Sequence, residues 1–586
     1  RDTLYYATGN DNTAIGNSAL YNNTSATQNT AVGRSALYHL QTSNYNVAVG
    51  YQAGYNVTTG DRQVAVGYQA LRNATTGGNN VALGYFALQA STTAGSNVAI
   101  GEEAMRYTTT GSNNVAVGRD AMDANTTGYQ NVAIGVAALG ANTTATNNTG
   151  VGSNTLFSTT TGVCNVAVGS SALYDNTTGG NNIAVGVGAL QNSTTGSYSV
   201  GIGRNALANA TTPSSNVCIG YNSGQGITTG GHNTALGDSS LYGCTTGYEN
   251  VAIGYLSMRD STSATRNIAI GQHALMENET GGHNTVVGWY ALKNNTASGN
   301  TAYGSEALHD NTSGQYNVAV GYRALYNVTT NNYCTAVGYE ALYNNESAGV
   351  TAVGFYAGHS NTTGYLTAMG RNSCRNNTTG DQNTGFGDQT LYSNTDGINN
   401  TAVGVNALYS NNGGDNNTAV GRYCNMLLTT ANANTSIGSM AGYHTTTGDG
   451  NINLGGSPST ATASYQITLG TTSHSNLRCN DTSISSLSDE RDKTDIVDLP
   501  VGLAFLNTLK PRQFKWKTRD GNIKDNRIDA GFIAQELETA QAGYKYLRLV
   551  MDDNPDRLEA KQGNLIPLLV KAIQELSAKV TALEAA

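Results

Sequence analysis

From Thr13 onward the chain restarts every 17 residues. The run Asn-[Thr/Val]-Ala-[Val/Ile/Leu]-Gly gives unit starts at Thr13, Thr30, Val47, Val64, Val81 and Val98, and continues without a slip to Thr285, which makes 17 units. Ten more begin at Thr301, Val318, Thr335, Thr351, Thr367, Thr384, Thr401, Thr418, Thr435 and Ile452, with three steps of 16, and a weaker last one begins at Ile467. A fixed period in this range means stacked supersecondary units, none able to bury its apolar side alone. The common helical repeats need about 33 residues or more, so a unit rich in β-branched side chains and turn formers cannot hold two packed helices. The repeat therefore predicts a mainly β fold, a parallel solenoid over residues 1–470. At ~4.8 Å per coil, roughly 27 coils make a rod on the order of 130 Å long, suited to a spacer or display shaft.

Within a unit such as Val64 to Asn80, the first three residues alternate large, small, large, which is strand periodicity. The small position stays Ala or Gly in most coils (Ala48, Ala65, Ala82, Gly150, Gly201), so whatever it faces leaves little space. Gly67 and its equivalents permit a turn that a Cβ obstructs. A second apolar pair, Ala70 and Leu71, leads into Asn-x-Thr-Thr-Gly turn chemistry. The coils are thin enough that we expect them to be stable only when several chains wind up side by side.

Charge marks where this pattern ends. Of 30 Lys+Arg and 39 Asp+Glu, the 99 residues from Ser488 hold 15 and 16; the 487 before them hold 15 and 23, with a single lysine, Lys293. Four of the six prolines also follow Ser488. The domain reading is a repeat solenoid over 1–470, a linker over 471–487 and a mixed α+β module over 488–586. The net charge of −9 argues against a nucleic-acid partner, and no run approaches the ~20 apolar residues of a membrane helix, so no membrane insertion is expected. The chain opens at Arg1 without a basic-then-apolar leader, as expected of a mature or trimmed product.

The repeat units look like the head repeats of trimeric autotransporter adhesins and like repeats of bacteriophage tail fibres, although the period of 17 exceeds the shorter adhesin repeat. The resemblance implies a parallel β-roll that trimerises about a central axis.

The module after Ser488 carries sharper landmarks: Ser488-Asp489-Glu490-Arg491-Asp492-Lys493, then Gly531-Phe532-Ile533-Ala534-Gln535-Glu536, then a tail with Ile566, Leu569, Ile573, Leu576, Val580 and Leu583 at heptad spacing. The tail predicts a helix that associates as a coiled coil, since a seam this short is marginal alone. Ile or Val at one seam position and Leu at the other favours two strands; the solenoid resemblance implies three, and three is the expectation here. These landmarks in order resemble the intramolecular chaperone auto-processing domain (endosialidase-type peptidase) of phage tail spikes and fibres, found also in some eukaryotic membrane-bound transcription factors. The resemblance implies that the domain drives trimerisation and then cuts itself off at Leu487–Ser488, with Ser488 as nucleophile and Lys493 as base. Asp489 and Arg491 are the supporting residues.

The residue chemistry is compatible with that assignment. There is no His and no Cys after Ser488, which leaves a Ser-His-Asp or Cys-His arrangement no partners within the module. A lysine base must lose its charge, so its reference pKa of ~10.4 has to be lowered by burial or by a cation such as Arg491. Assembly is the expected source of that burial. Ser with Lys at +5 arises readily by chance, and its place at the composition boundary is what lifts it. One cut per chain makes this a single-turnover protease.

Other features are weaker. Tyr51, Tyr68 and Tyr85 recur at one place in the unit and suit either chain contacts or sugar stacking. The Thr58-Thr59 type of pair does not suit ice, because adjacent strand residues point to opposite sides. Asn-x-Thr sequons at Asn56, Asn73, Asn125, Asn142 and Asn176 read as turn formers. The seven cysteines are isolated and the acidic residues Glu102, Glu103 and Asp120 are scattered, so no metal site, no cofactor and no glycan-cleaving pair follows. The function read from this is a homotrimeric phage tail fibre or spike, on the virion and extracellular. Its expected partners are a host-surface glycan or protein receptor and other virion tail proteins. A cellular surface adhesin carrying the same chaperone is the alternative, and a glycan-depolymerising spike the third.

Overall fold

The structure is a computed structural model and describes residues 8–456, 463–470, 488–517, 528–551 and 558–586. By internal contacts the chain divides into two compact units, Arg1–Thr351 and Ala352–Ala586. The division falls inside the repeat, where two 16-residue steps follow one another between Thr335 and Thr367.

Each of the 28 unit starts carries a strand, from β1 (Thr13–Ile15) to β28 (Ile467–Leu469). In the first unit each strand as far as β20 (Thr335–Val337) pairs in parallel with the equivalent residues of the next coil, as in Val64↔Val81, Ala65↔Ala82 and Val66↔Leu83. In the second unit the same register runs from β22 (Leu366–Met369) to β28. A coil has one three-residue strand, and bends and turns make the rest.

Alternation resolves with the small residue inside. Ala48, Ala65 and Ala82 are buried, while Val64 and Val66 lie half-buried on the outward face and Val47, Val49 and Leu83 are exposed there. The coil is not empty: Leu71 and its equivalents Leu37, Leu88 and Met105 stack as a fully buried column beside the alanines. The expectation of coils without an adequate interior is corrected by this column. Where Gly54 and Gly224 replace the leucine, Val57 and Ile227 fill the space three residues later; a Cβ on Gly54 would meet Leu37 Cδ2 at 2.8 Å.

The turns demand unusual backbone. In the coil from Val64, Gln69, Leu71 and Asn79 all have left-handed φ, at 52°, 54° and 60°. Left-handed backbone costs an L-residue roughly 1–2 kcal/mol. Two gains offset it. Full burial of a leucine is worth about 1.5–3 kcal/mol, and each left-handed N–H reaches a neighbouring coil: Gln69 donates to Tyr51 O, Asn79 to Asp61 O and Leu71 to Ala87 O, all at 2.9 Å. Gly67 (φ 137°) allows no substitute, since a Cβ there would lie 2.3 Å from Gly84 O.

A buried asparagine column runs before the strands. Asn114 N–H donates to Asn97 Oδ1 at 2.9 Å, Asn131 N–H to Asn114 Oδ1 at 2.9 Å, and Asn131 Nδ2 to Ala145 O at 2.9 Å. These side chains satisfy main-chain groups that the turns leave unpaired, the condition for burying them at all.

The module after Ser488 has its own core of Val501, Phe505, Leu509, Leu537, Leu547, Leu549, Val550, Leu565 and Leu568. It is built from α1 (Leu503–Leu506), an antiparallel pair β29 (Arg512–Lys515) and β30 (Ile528–Gly531), α2 (Ala534–Gln541), a second pair β31 (Val550–Met551) and β32 (Glu559–Ala560), and α3 (Ile566–Glu584). Pro567 stands in the first turn of α3, where its missing N–H costs nothing. Leu568 and Ala572 turn the inner face of α3 into the core, and Glu575 accepts a hydrogen bond from Leu503 N at 2.8 Å, tying α3 to the start of α1. Among the described residues, no helix is long and apolar enough to cross a membrane.

Candidate self-cleavage site and assembly surface

Ser488 precedes a single 3₁₀ turn, Glu490–Asp492. Asp489 caps it: its carboxylate accepts from Arg491 N at 2.9 Å, and Lys493 N closes the turn on Glu490 O at 3.1 Å. The turn reverses the chain, so that Lys493 Nζ donates a short hydrogen bond to Ser488 Oγ. The two residues singled out by their spacing of five are thus in contact. Loss of the ammonium proton would reverse that bond and leave the amine placed to accept the hydroxyl proton.

Arg491 does something other than expected. Its guanidinium grips Asp489, Nε to Oδ1 at 3.0 Å and Nη2 to Oδ2 at 2.5 Å. The Arg491 side chain and N–H hold the Asp489 carboxyl below the usual carboxylate range. The cation expected to act on Lys493 is paired with Asp489 in the single chain, and the pair fixes the turn. Every residue from Ser488 to Asp498 is exposed, so the single chain supplies no burial for Lys493. Leu487, the other half of the expected scissile bond, lies outside the described residues.

The six seam residues all lie on α3, and all are exposed: Ile566, Leu569, Ile573, Leu576, Val580 and Leu583. They form a stripe beside the face that Leu568 and Ala572 turn into the core. The helix is as predicted.

Among the weaker candidates, Tyr51, Tyr68 and Tyr85 stack on one another at 5.2 and 5.3 Å, as do Tyr21, Tyr38 and Tyr55 at 5.1 and 5.2 Å. Their faces cover each other, which removes the flat platform a sugar needs. Asn125, Asn142 and Asn176 are fully buried, which suits turn-forming and bars glycosylation of the folded coil; Asn56 and Asn73 are only half-buried. The first threonine of each pair spends its hydroxyl on the next coil, as from Thr75 Oγ1 to Thr92 O at 3.0 Å. Glu103 pairs with Arg106 at 2.8 Å and Asp120 with Arg119 at 3.2 Å. Sequence reasoning missed Asp123 beside them, whose carboxyl is pushed up to about 6 by burial and then by Glu103 and Asp120. Burial likewise pushes the Cys244 thiol up to about 11 and Cys374 up to about 12, the opposite of what a nucleophile needs. Cys479 lies outside the described residues.

Residues 488–544 match the family described as the chaperone of endosialidase, and the match opens on Ser488 itself. No curated protein and no solved structure matches the chain. The molecule is therefore a long parallel β-solenoid carrying a chaperone-of-endosialidase domain at its C-terminal end. The matched segment ends at Tyr544, short of α3.

Proposed function

We propose that the chain is a homotrimeric fibre of the tail-fibre or tail-spike type, displayed on a virion for attachment to a host-surface glycan or protein. Its C-terminal domain guides trimer assembly and then severs itself at Leu487–Ser488. The observation that carries the reading is the Ser488–Lys493 hydrogen bond at the first residue of the family match. Two apolar surfaces support the trimer: the outward strand positions, where Val47, Val49, Leu83 and Ile134 are exposed, and the α3 seam.

In the cut, Ser488 Oγ attacks the carbonyl carbon of Leu487 while its proton passes to Lys493 Nζ. The C–N bond breaks, the proton moves to the Ser488 nitrogen, and the resulting ester on Ser488 Oγ is opened by water. Exposure of the pair in a single chain fits a reaction that waits for neighbouring chains to cover Lys493 and favour its neutral form.

Intact mass and sedimentation of the wild type beside Ser488→Ala and Lys493→Ala test this. Two fragments of 487 and 99 residues are expected from the wild type alone, with the larger one trimeric. Cleavage that persists in either variant, or at full rate in a demonstrably monomeric chain, overturns the mechanism.

A further inference from the structure

In the 487 residues before Ser488 there is one tryptophan, Trp289, and one lysine, Lys293, and they stand four residues apart in the first coil that has 16 residues instead of 17. Tyr290 joins them. Trp289 meets it edge to face at 4.4 Å, Lys293 Nζ sits over its ring at 5.6 Å, and His273 of the preceding coil stacks parallel on it at 4.5 Å.

Trp289 occupies the place in the unit that Tyr51, Tyr68 and Tyr85 hold, but its surroundings differ. Those tyrosines have a ring above or below them, whereas the neighbours of Trp289 at this place are Gln272 and Ser305. Its one ring contact among the described residues is the edge-to-face pair with Tyr290, and 47% of the residue is exposed, so an indole face stays open. Lys293 has one carboxylate in reach, Glu277 at 3.8 Å, and donates no hydrogen bond among the described residues. Arg259 is held by Asp260 at 2.5 Å, which leaves Lys293, with its single longer contact to Glu277, as the cation beside the indole.

We propose that this coil is a binding site for an acidic saccharide. A sugar ring stacks on the open face of Trp289, its carboxylate or sulfate meets Lys293, and Gln272 and Ser305 offer an amide and a hydroxyl to the ring hydroxyls. The site names the ligand class for the attachment role and rests on that reading for its purpose.

The test is binding of the full chain to immobilised polygalacturonate, chondroitin sulfate and dextran. Retention is expected on at least one of the two acidic polymers and not on neutral dextran, and the two arms separate carboxylate from sulfate recognition. Trp289→Ala is expected to weaken binding at least tenfold, Trp289→Phe less, and Lys293→Met to remove the preference over dextran, with self-cleavage and oligomeric state unchanged. Three results overturn the site: no retention on either acidic polymer, binding indifferent to both substitutions, or a Trp289→Ala change in oligomeric state, which would make the patch a contact between chains. A protein that cleaves and trimerises but ignores these polymers sinks this site and leaves the fibre reading standing. One that binds them but never cleaves does the reverse.

Discussion

The solenoid and the C-terminal module meet the same requirement, removal of apolar and polar groups from water, in opposite ways. In a coil the leucine, alanine and asparagine columns are buried and the turn N–H groups are paired with the next coil. The module closes only a small core and leaves its heptad seam and its Ser488–Lys493 pair exposed. The solenoid pairs its interior groups by repetition, whereas the module leaves its apolar stripe and its Ser488–Lys493 pair in water. That division suits a display element joined to an assembly device.

The comparison breaks most readily at the seam. Leu569→Asp with Leu576→Asp places six charges on a proposed three-chain contact while sparing the module core. Complete loss of the trimer and of self-cleavage is expected, read by sedimentation and intact mass; a trimer that survives would show that α3 is not the assembly surface. Within a coil, Asn131→Leu leaves the Asn148 N–H without its partner and the Ala145 carbonyl with only the longer bond from Asn142 Nδ2 at 3.4 Å. At about 1–3 kcal/mol for a buried group left unpaired, the neighbouring coils should lose roughly 1–3 kcal/mol of protection, measured by hydrogen exchange because repeats open locally. No loss would mean that the interior does not depend on its polar column.

The smallest effect is expected at Asp123, where the solenoid's accounting is locally poor. Its Oδ1 is buried without a partner among the described residues, and its folded pKa of about 6 lies above the ordinary value of 3.8. Between those values the folded chain holds a proton that the unfolded chain has released. Stability therefore falls as pH rises through the window, and the penalty is complete above about pH 6. Asp123→Asn is expected to melt higher than wild type at pH 7.5 and level with it at pH 3.5. A variant that melts lower at pH 7.5 would show that the carboxylate contributes a contact instead.

Most of the fold was legible because its period is rigid: all 28 unit starts became strands, including the irregular ones at Thr301, Thr351 and Thr367. What the pattern did not disclose was which face of the strand turns inward. Alternation of Val64, Ala65 and Val66 is symmetrical until the leucine column occupies the space beneath the alanine. The column was hidden because Leu71 adopts backbone that leucine rarely takes, stabilised only by a neighbouring coil. The buried role of Asn131 was hidden for a similar reason, since an asparagine beside a turn reads as a turn former until the stack gives it carbonyls to bond. At the candidate cleavage site, spacing was enough to pair Ser488 with Lys493, because one turn spans five residues. Spacing carried nothing about exposure, nor about Arg491 being held by Asp489.

Because successive 17-residue coils within each compact unit bond to one another through equivalent atoms, insertion or removal of one such unit presents the remaining coils with the same partners as before. Recombination between such similar segments can thus alter copy number, and with it the length of the solenoid, while leaving the folding problem unchanged. A partial unit has no such freedom, since it would slide every ladder out of step at once.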